Sequence, residues 1–158
     1  MQIQVNGHTT YCYTGGKAFN PALPTVVMVH GVLNDHSVWA LQSRYLANHG
    51  WNVLAVDLPG HCRSAGEAPA SVEAGADFIA ALLDAAGVQR AALVGHSFGS
   101  LAAMEAAARA RAIVSLRDMM AGDVIKGLLD TRLAIEIIDE RGRPVARIGC
   151  DEALRIMS

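Results

Sequence analysis

Charge is scarce in this sequence, and neither sign prevails. Of its 158 residues 18% are charged, thirteen Lys and Arg against fifteen Asp and Glu, for a formal net charge of -2. An average soluble domain carries about 25% charged residues, and a binder of nucleic acid or anionic membrane adds a basic patch. No such excess exists, so neither partner is expected. Long apolar runs are also absent: stretches such as 25–29 and 78–83 fall far short of the roughly 20 residues that cross a bilayer. At the start, Gln2, Gln4 and Asn6 alternate with Ile3 and Val5, without the basic opening and apolar block of a signal peptide, so a cytoplasmic location is expected. Cysteine is limited to Cys12, Cys62 and Cys150, an odd and widely spaced set without metal-ligand spacing. They read as reduced thiols in ordinary packing.

What is present is a regular succession of apolar elements, 52% of the residues being hydrophobic. Residues 1–13 alternate on both sides of Asn6-Gly7, a pair that tolerates the positive φ of a tight hairpin turn. After the Gly15-Gly16 and 21–24 turn segments, Thr25–Val29 is a continuous β-branched run suited to a strand buried on both faces. Residues 37–49 put Val38, Leu41 and Tyr45 on one helical face and end at Gly50, predicting an amphipathic helix with a left-handed cap. Residues 51–58 give a second buried strand. Ser71 caps a helix with Val72, Ala76, Ile79, Leu83 and Ala86 at 3.6-residue spacing, and 91–94 is a third strand. Strand, helix, strand, helix, strand, helix is the signature of a parallel sheet covered on both faces, so the fold class is α/β. Functional groups are then expected beyond the carboxyl ends of the strands, at 30–36, 57–64 and 95–99.

Beyond about Arg109 the texture changes. Ile113, Leu116, Met120 and Val124 share a helical face that Gly122 interrupts. Leu133, Ile135 and Ile137 alternate with polar or small residues, and 139–143 turns into a second strand at 145–148. A division into 1–110 and a helix plus β-hairpin tail at 111–158 is expected. Met119 and Met120 read as packing residues.

Gly95-His96-Ser97-Phe98-Gly99 matches G-x-S-x-G directly after a predicted strand and before a predicted helix, the context of a nucleophile elbow. Neighbouring chain passes so close to such a turn that its flanks need glycine, and the serine hydroxyl is left exposed. The helix that follows aims its first amides at the same point and favours negative charge there. The block His30-Gly31-Val32-Leu33-Asn34-Asp35-His36-Ser37-Val38-Trp39 begins where the first buried strand stops, and Asp57-Leu58-Pro59-Gly60-His61-Cys62-Arg63-Ser64 follows the second. Read apart from these blocks, Ser97 is an ordinary helix N-cap. Asp57 reads as a brace for its own loop, and His36 as a solvated loop residue, not a metal ligand.

In order and spacing, the three blocks together resemble the α/β-hydrolase superfamily, in its small-molecule esterase and lipase-like branch, over about residues 1–108. The resemblance implies a serine hydrolase of small acyl substrates with Ser97 as nucleophile. The backbone amides of Val32 and Phe98 would form the oxyanion hole, supported by His30, Gly31, Gly95, His96 and Gly99. No metal or organic cofactor is implied. Cys62 stands where many relatives have glycine. The tail resembles, more loosely, a small bacterial domain of unknown function.

The family order is Ser, then Asp or Glu, then His. The histidines here are His8, His30, His36, His49, His61 and His96, and none follows Ser97. Asp118, Asp123, Asp130, Asp139 and Asp151 do follow it, but none sits in a recognisable strand-end motif. Among substitutes, His30 belongs to the oxyanion loop and His96 is expected to project away, which leaves His61. Slow, promiscuous esterase activity at most is expected, since catalysis survives in part without a full triad. The sheet therefore reads as incomplete, the 1–110 part as a truncated hydrolase core, and the whole as a fusion, a frameshifted gene or a chimera. An unpaired edge at 91–94 is expected to be covered by the tail or by a second copy in a homodimer. The alternatives are a non-catalytic binding module and a non-functional remnant.

Overall fold

The apolar runs at 25–29 and 52–56 become strands whose alternate side chains feed two separate cores. The computed structural model describes residues 1–20, 22–120, 134–138 and 144–149, with side chains through 110. The chain forms two compact units, Met1–Ala110 and Arg111–Ser158. In the first, β1 (Gln2–Val5), β2 (His8–Tyr13), β3 (Thr25–Val29), β4 (Asn52–Val56) and β5 (Ala91–Gly95) form one sheet in the order β1-β2-β4-β3-β5. Strands β4, β3 and β5 run parallel as expected. The opening hairpin joins the same sheet, however, because β2 pairs antiparallel with β4 through Cys12 opposite Val56 and Tyr13 opposite Ala55. Asn6 at φ 51° and Gly7 at φ 79° make the tight turn between β1 and β2.

Period-two alternation sorts the central strands between the cores. Val27, Val29, Leu54 and Val56 pack with Phe78, Ile79 and Leu82 of α2 (Val72–Ala85) and Ala102 of α3 (Phe98–Met120). Val26, Met28, Val53 and Ala55 pack on the other face with Trp39 and Ala47. Each fully buried Val or Leu contributes about 1.5–3 kcal/mol. Ser71 caps α2 by accepting from the Ala74 N–H. The buried stripe of α2 falls on Gly75, Ala76, Phe78, Ile79 and Leu82, slightly rotated from the expected one.

The helix at 37–49 is present as a 3-10 turn (His36–Trp39) and α1 (Ala40–Asn48), but it faces the other way. Leu41 and Tyr45 are 77% and 62% exposed, and Val38 is exposed as well. Trp39, Ser43 and Ala47, spaced four apart, line the sheet instead. Small Ser43 and Ala47 permit close approach, and the Ser43 hydroxyl donates to Met28 Sδ at 3.5 Å. Tyr45 stacks on His49 with ring centroids 4.1 Å apart.

In the second unit β6 (Ala134–Ile138) and β7 (Pro144–Gly149) pair antiparallel, as the alternation predicts. The turn at 139–143 and Val124 lie outside the described residues. No helix among the described residues is long and apolar enough to cross a membrane.

Candidate active site

The registers bring the strand ends together. Val29 lies opposite Val56 on one side and Gly95 on the other, so His30, Asp57 and His96 are the first residues past three adjacent strands. All three sequence blocks therefore leave the sheet along one edge.

At the end of β5 the chain turns into α3 through Ser97, a non-glycine residue held at φ 53°. Left-handed backbone costs an L-residue about 1–2 kcal/mol, and packing enforces it here. A Cβ at Gly95 would collide with the Gly99 carbonyl, and one at Gly99 with the Val29 carbonyl. The turn closes with Gly99 N–H donating to His96 O and Ser100 N–H to Ser97 O, each at 2.9 Å. Ser97 stays exposed.

Gly31 lies directly against this turn, where a Cβ would stand 3.0 Å from both Ser97 Cβ and His96 Nδ1. His96, expected to project away from Ser97, thus brings its ring nitrogen to the same face of Gly31. Beyond it Val32 is 60% exposed, and Leu33, at φ 62°, is 91% exposed. The Asn34 N–H donates to Gly31 O at 3.2 Å and closes the loop.

His30 is fully buried behind the loop. Its Nε2 accepts the Leu58 N–H at 3.0 Å, so Nδ1 must carry the proton, and it faces Gly31 O at 2.7 Å. Both nitrogens are committed to tying the 30–33 loop to the one after β4, which removes His30 as a base. Burial pushes its pKa below the usual histidine value. Below about pH 6.5 the unfolded His30 takes up a proton that the folded one refuses, so stability falls as pH drops, by at most about 1.4 kcal/mol per pH unit. Above that pH His30 contributes no pH dependence. Urea midpoints between pH 7 and 5 should decline, less steeply in His30→Asn; equal slopes would refute the assignment. His61 turns Nδ1 to Pro59 O at 2.9 Å, and its ring lies 5.1 Å from that of His30.

Asp57 is fully buried and does brace its loop. It accepts the His36 N–H at 2.8 Å and the Arg63 N–H at 3.2 Å, while its carbonyl takes the Ser64 hydroxyl at 2.7 Å. His36, expected on a solvated loop, is instead packed against Tyr11 and Tyr13 with Nδ1 2.8 Å from Asp57 Oδ1. The tyrosines come from β2, whose place beside β4 the local pattern around His36 does not encode. Cys62 is exposed at φ 45°. Glycine in the same turn is unstrained, so Cys62→Gly should raise stability by about 0.5–1 kcal/mol, net of glycine's larger unfolded-state entropy. A lower urea midpoint would contradict that.

Among the described residues no side chain hydrogen-bonds to the Ser97 hydroxyl, and neither the Val32 nor the Phe98 N–H donates to another protein group. A cleft of about 500 Å³ lies elsewhere, lined by Val5, His8, Thr10, Glu67 and Phe78.

Residues 24–125 match the model of the alpha/beta hydrolase fold family. Lipase LipV of Mycobacterium tuberculosis is 34% identical over 125 residues, 75% of this chain and 47% of the lipase. A pimeloyl-[acyl-carrier protein] methyl ester esterase of Neisseria meningitidis is 38% identical over 94 residues, 59% of this chain and 34% of the esterase. The crystal structure of a CIB-like hydrolase from Thermoplasma acidophilum superposes with a TM-score of 0.61 at 25% identity, over 69% of this chain and 55% of that one. The chain therefore spans less than half the length of these two curated relatives. With the family model covering well over half of its residues, the chain belongs to the alpha/beta hydrolase fold family.

Proposed function

We propose that the first unit is the nucleophile-bearing part of a serine hydrolase of small acyl esters, with Ser97 as the attacking residue. The observation that carries this reading is the left-handed, exposed Ser97 set directly against Gly31. Ser97 Oγ adds to the ester carbonyl and loses its proton to solvent. The N–H groups of Val32 and Phe98 receive the developing oxyanion. Collapse expels the alkoxide, which takes a proton from solvent to leave as the alcohol, and water releases the acid from the acyl-serine.

Within these 158 residues no histidine follows Ser97, and His30 has no free nitrogen. Among the described residues His61 Nε2 has no hydrogen-bond partner, and nothing holds it on the Ser97 hydroxyl. Chain 1–158 alone should thus acylate slowly. A fluorophosphonate probe tests the reading: one adduct at Ser97 supports it, and no adduct on folded protein sinks it. The unengaged hydroxyl favours a second reading, a non-catalytic binding module, which that negative result would select.

Strand β5 ends the five-stranded order, leaving one edge without a strand partner among the described residues. We read that edge as a pairing surface for a second copy. A single monomeric species in sedimentation, with fast amide exchange at 91–94, would refute this.

A further inference from the structure

Three metal-ligating side chains meet where the sequence spacing gives no hint of them. A ring nitrogen of His36, a carboxylate oxygen of Asp57 and the Sγ of Cys62 all lie within 4.8 Å of one another. Asp57 is fully buried, the His36 ring is wedged against two tyrosines, and Cys62 opens to solvent. From these contacts we propose that His36, Asp57 and Cys62 form a binding site for one divalent transition-metal ion of the zinc type, separate from the acyl chemistry at Ser97.

The donor set selects the ion. One thiolate, one imidazole and one carboxylate suit a borderline cation such as Zn2+ or Co2+, and are too soft for Mg2+ or Ca2+. Ligand atoms around a tetrahedral zinc stand roughly 3–4 Å apart, given bonds of about 2.0–2.3 Å. His36 Nδ1 and Asp57 Oδ1, hydrogen-bonded at 2.8 Å, have to part by about half an ångström to admit the ion, and Sγ, on an exposed turn, has to move inward.

Two further features favour a cation. Asp35 Oδ1 lies 3.9 Å from His36 Nδ1 and adds negative charge. Cys62 also occupies a left-handed position at φ 45°. Such strain is characteristic of functional positions, and here it sets a sulfur beside His36 and Asp57. Desolvation, and after it the Asp57 and Asp35 carboxylates, hold the Cys62 thiol above its usual pKa.

Binding balances without redox change. The cation replaces the proton between His36 Nδ1 and Asp57, the imidazole carries its hydrogen on Nε2 instead, and the Cys62 thiol proton leaves to solvent. A water completes the tetrahedron.

The test is anaerobic titration of the full chain with Co2+. Expected are a thiolate-to-cobalt charge-transfer band in the near ultraviolet and the visible bands of tetrahedral cobalt, saturating at one ion per chain and displaced by Zn2+. Cys62→Gly and His36→Asn, shown folded by circular dichroism, should both lose these bands. Cys12→Ala and Cys150→Ser should keep them; burial pushes the Cys12 thiol up to about 12 and closes it to metal. No thiolate band in excess Co2+, or a band retained in either Cys62→Gly or His36→Asn, overturns the site. A readout on the unaltered chain guards against variants that fail to fold: Zn2+ should protect Cys62 from iodoacetamide, followed by mass, and unchanged alkylation would equally overturn it.

Discussion

Ser97→Ala leaves the folded chain without any fluorophosphonate adduct, whereas the parent takes up one phosphonyl group at Ser97. The probe is attacked by a serine hydroxyl at a site that stabilises a developing oxyanion, and the exposed Ser97 at φ 53° beside the Gly31–Val32 turn presents one; with no base on that hydroxyl the labelling is slow and is read after long incubation. Labelling is the decisive readout because turnover is a poor one for this chain. Triad residues act as a unit: once the base is absent, a site keeps roughly 10³–10⁴ of rate over water from the oxyanion hole and binding, with or without the serine. Ester hydrolysis by 1–158 should therefore fall less than about tenfold in Ser97→Ala, while covalent capture disappears. A parent chain that labels at another residue, or an alanine variant that still labels, would remove Ser97 from the reaction.

Adding a Cβ at Gly31 tests the other half of the same site. It would press on Ser97 Cβ and His96 Nδ1 at 3.0 Å, so the proposed oxyanion loop and the serine cannot be moved independently. The sequence blocks made this juxtaposition legible, because each begins where a strand ends and parallel strands in register end together. Local pattern failed where partners come from elsewhere in the fold. The Leu41 and Tyr45 face of α1 has the apolar spacing of a buried stripe, yet the sheet packs on Ser43 and Ala47, since close approach favours small residues over large ones. Nothing near His36 signals burial either. Its two tyrosines lie on β2, and β2 reaches it only because the opening hairpin adds to the sheet beside β4. Nor does the spacing 36, 57, 62 resemble a metal motif, because loops after two different strands supply the ligands.

Gly99→Ala should destabilise the first unit more than any other substitution considered, by about 3 kcal/mol or more. The new methyl would run into the Val29 carbonyl and stand 2.7 Å from the His30 carbonyl oxygen. Both are backbone atoms at the end of β3, where Val29 and His30 are fully buried, so no flexible side chain can yield. The Val29 oxygen is also the acceptor for the His96 N–H at 3.0 Å. Relief requires the start of α3 to move away from β3, breaking that bond and lifting Ser97 off Gly31. Gly7→Ala isolates the backbone cost alone: Gly7 has φ 79° but open space around its Cβ direction, so that change should cost only about 1 kcal/mol. Urea unfolding of the two variants at unchanged m-value measures the difference. Equal losses would mean that α3 does not rest on the end of β3, and the tight turn that presents Ser97 would lose its structural cause.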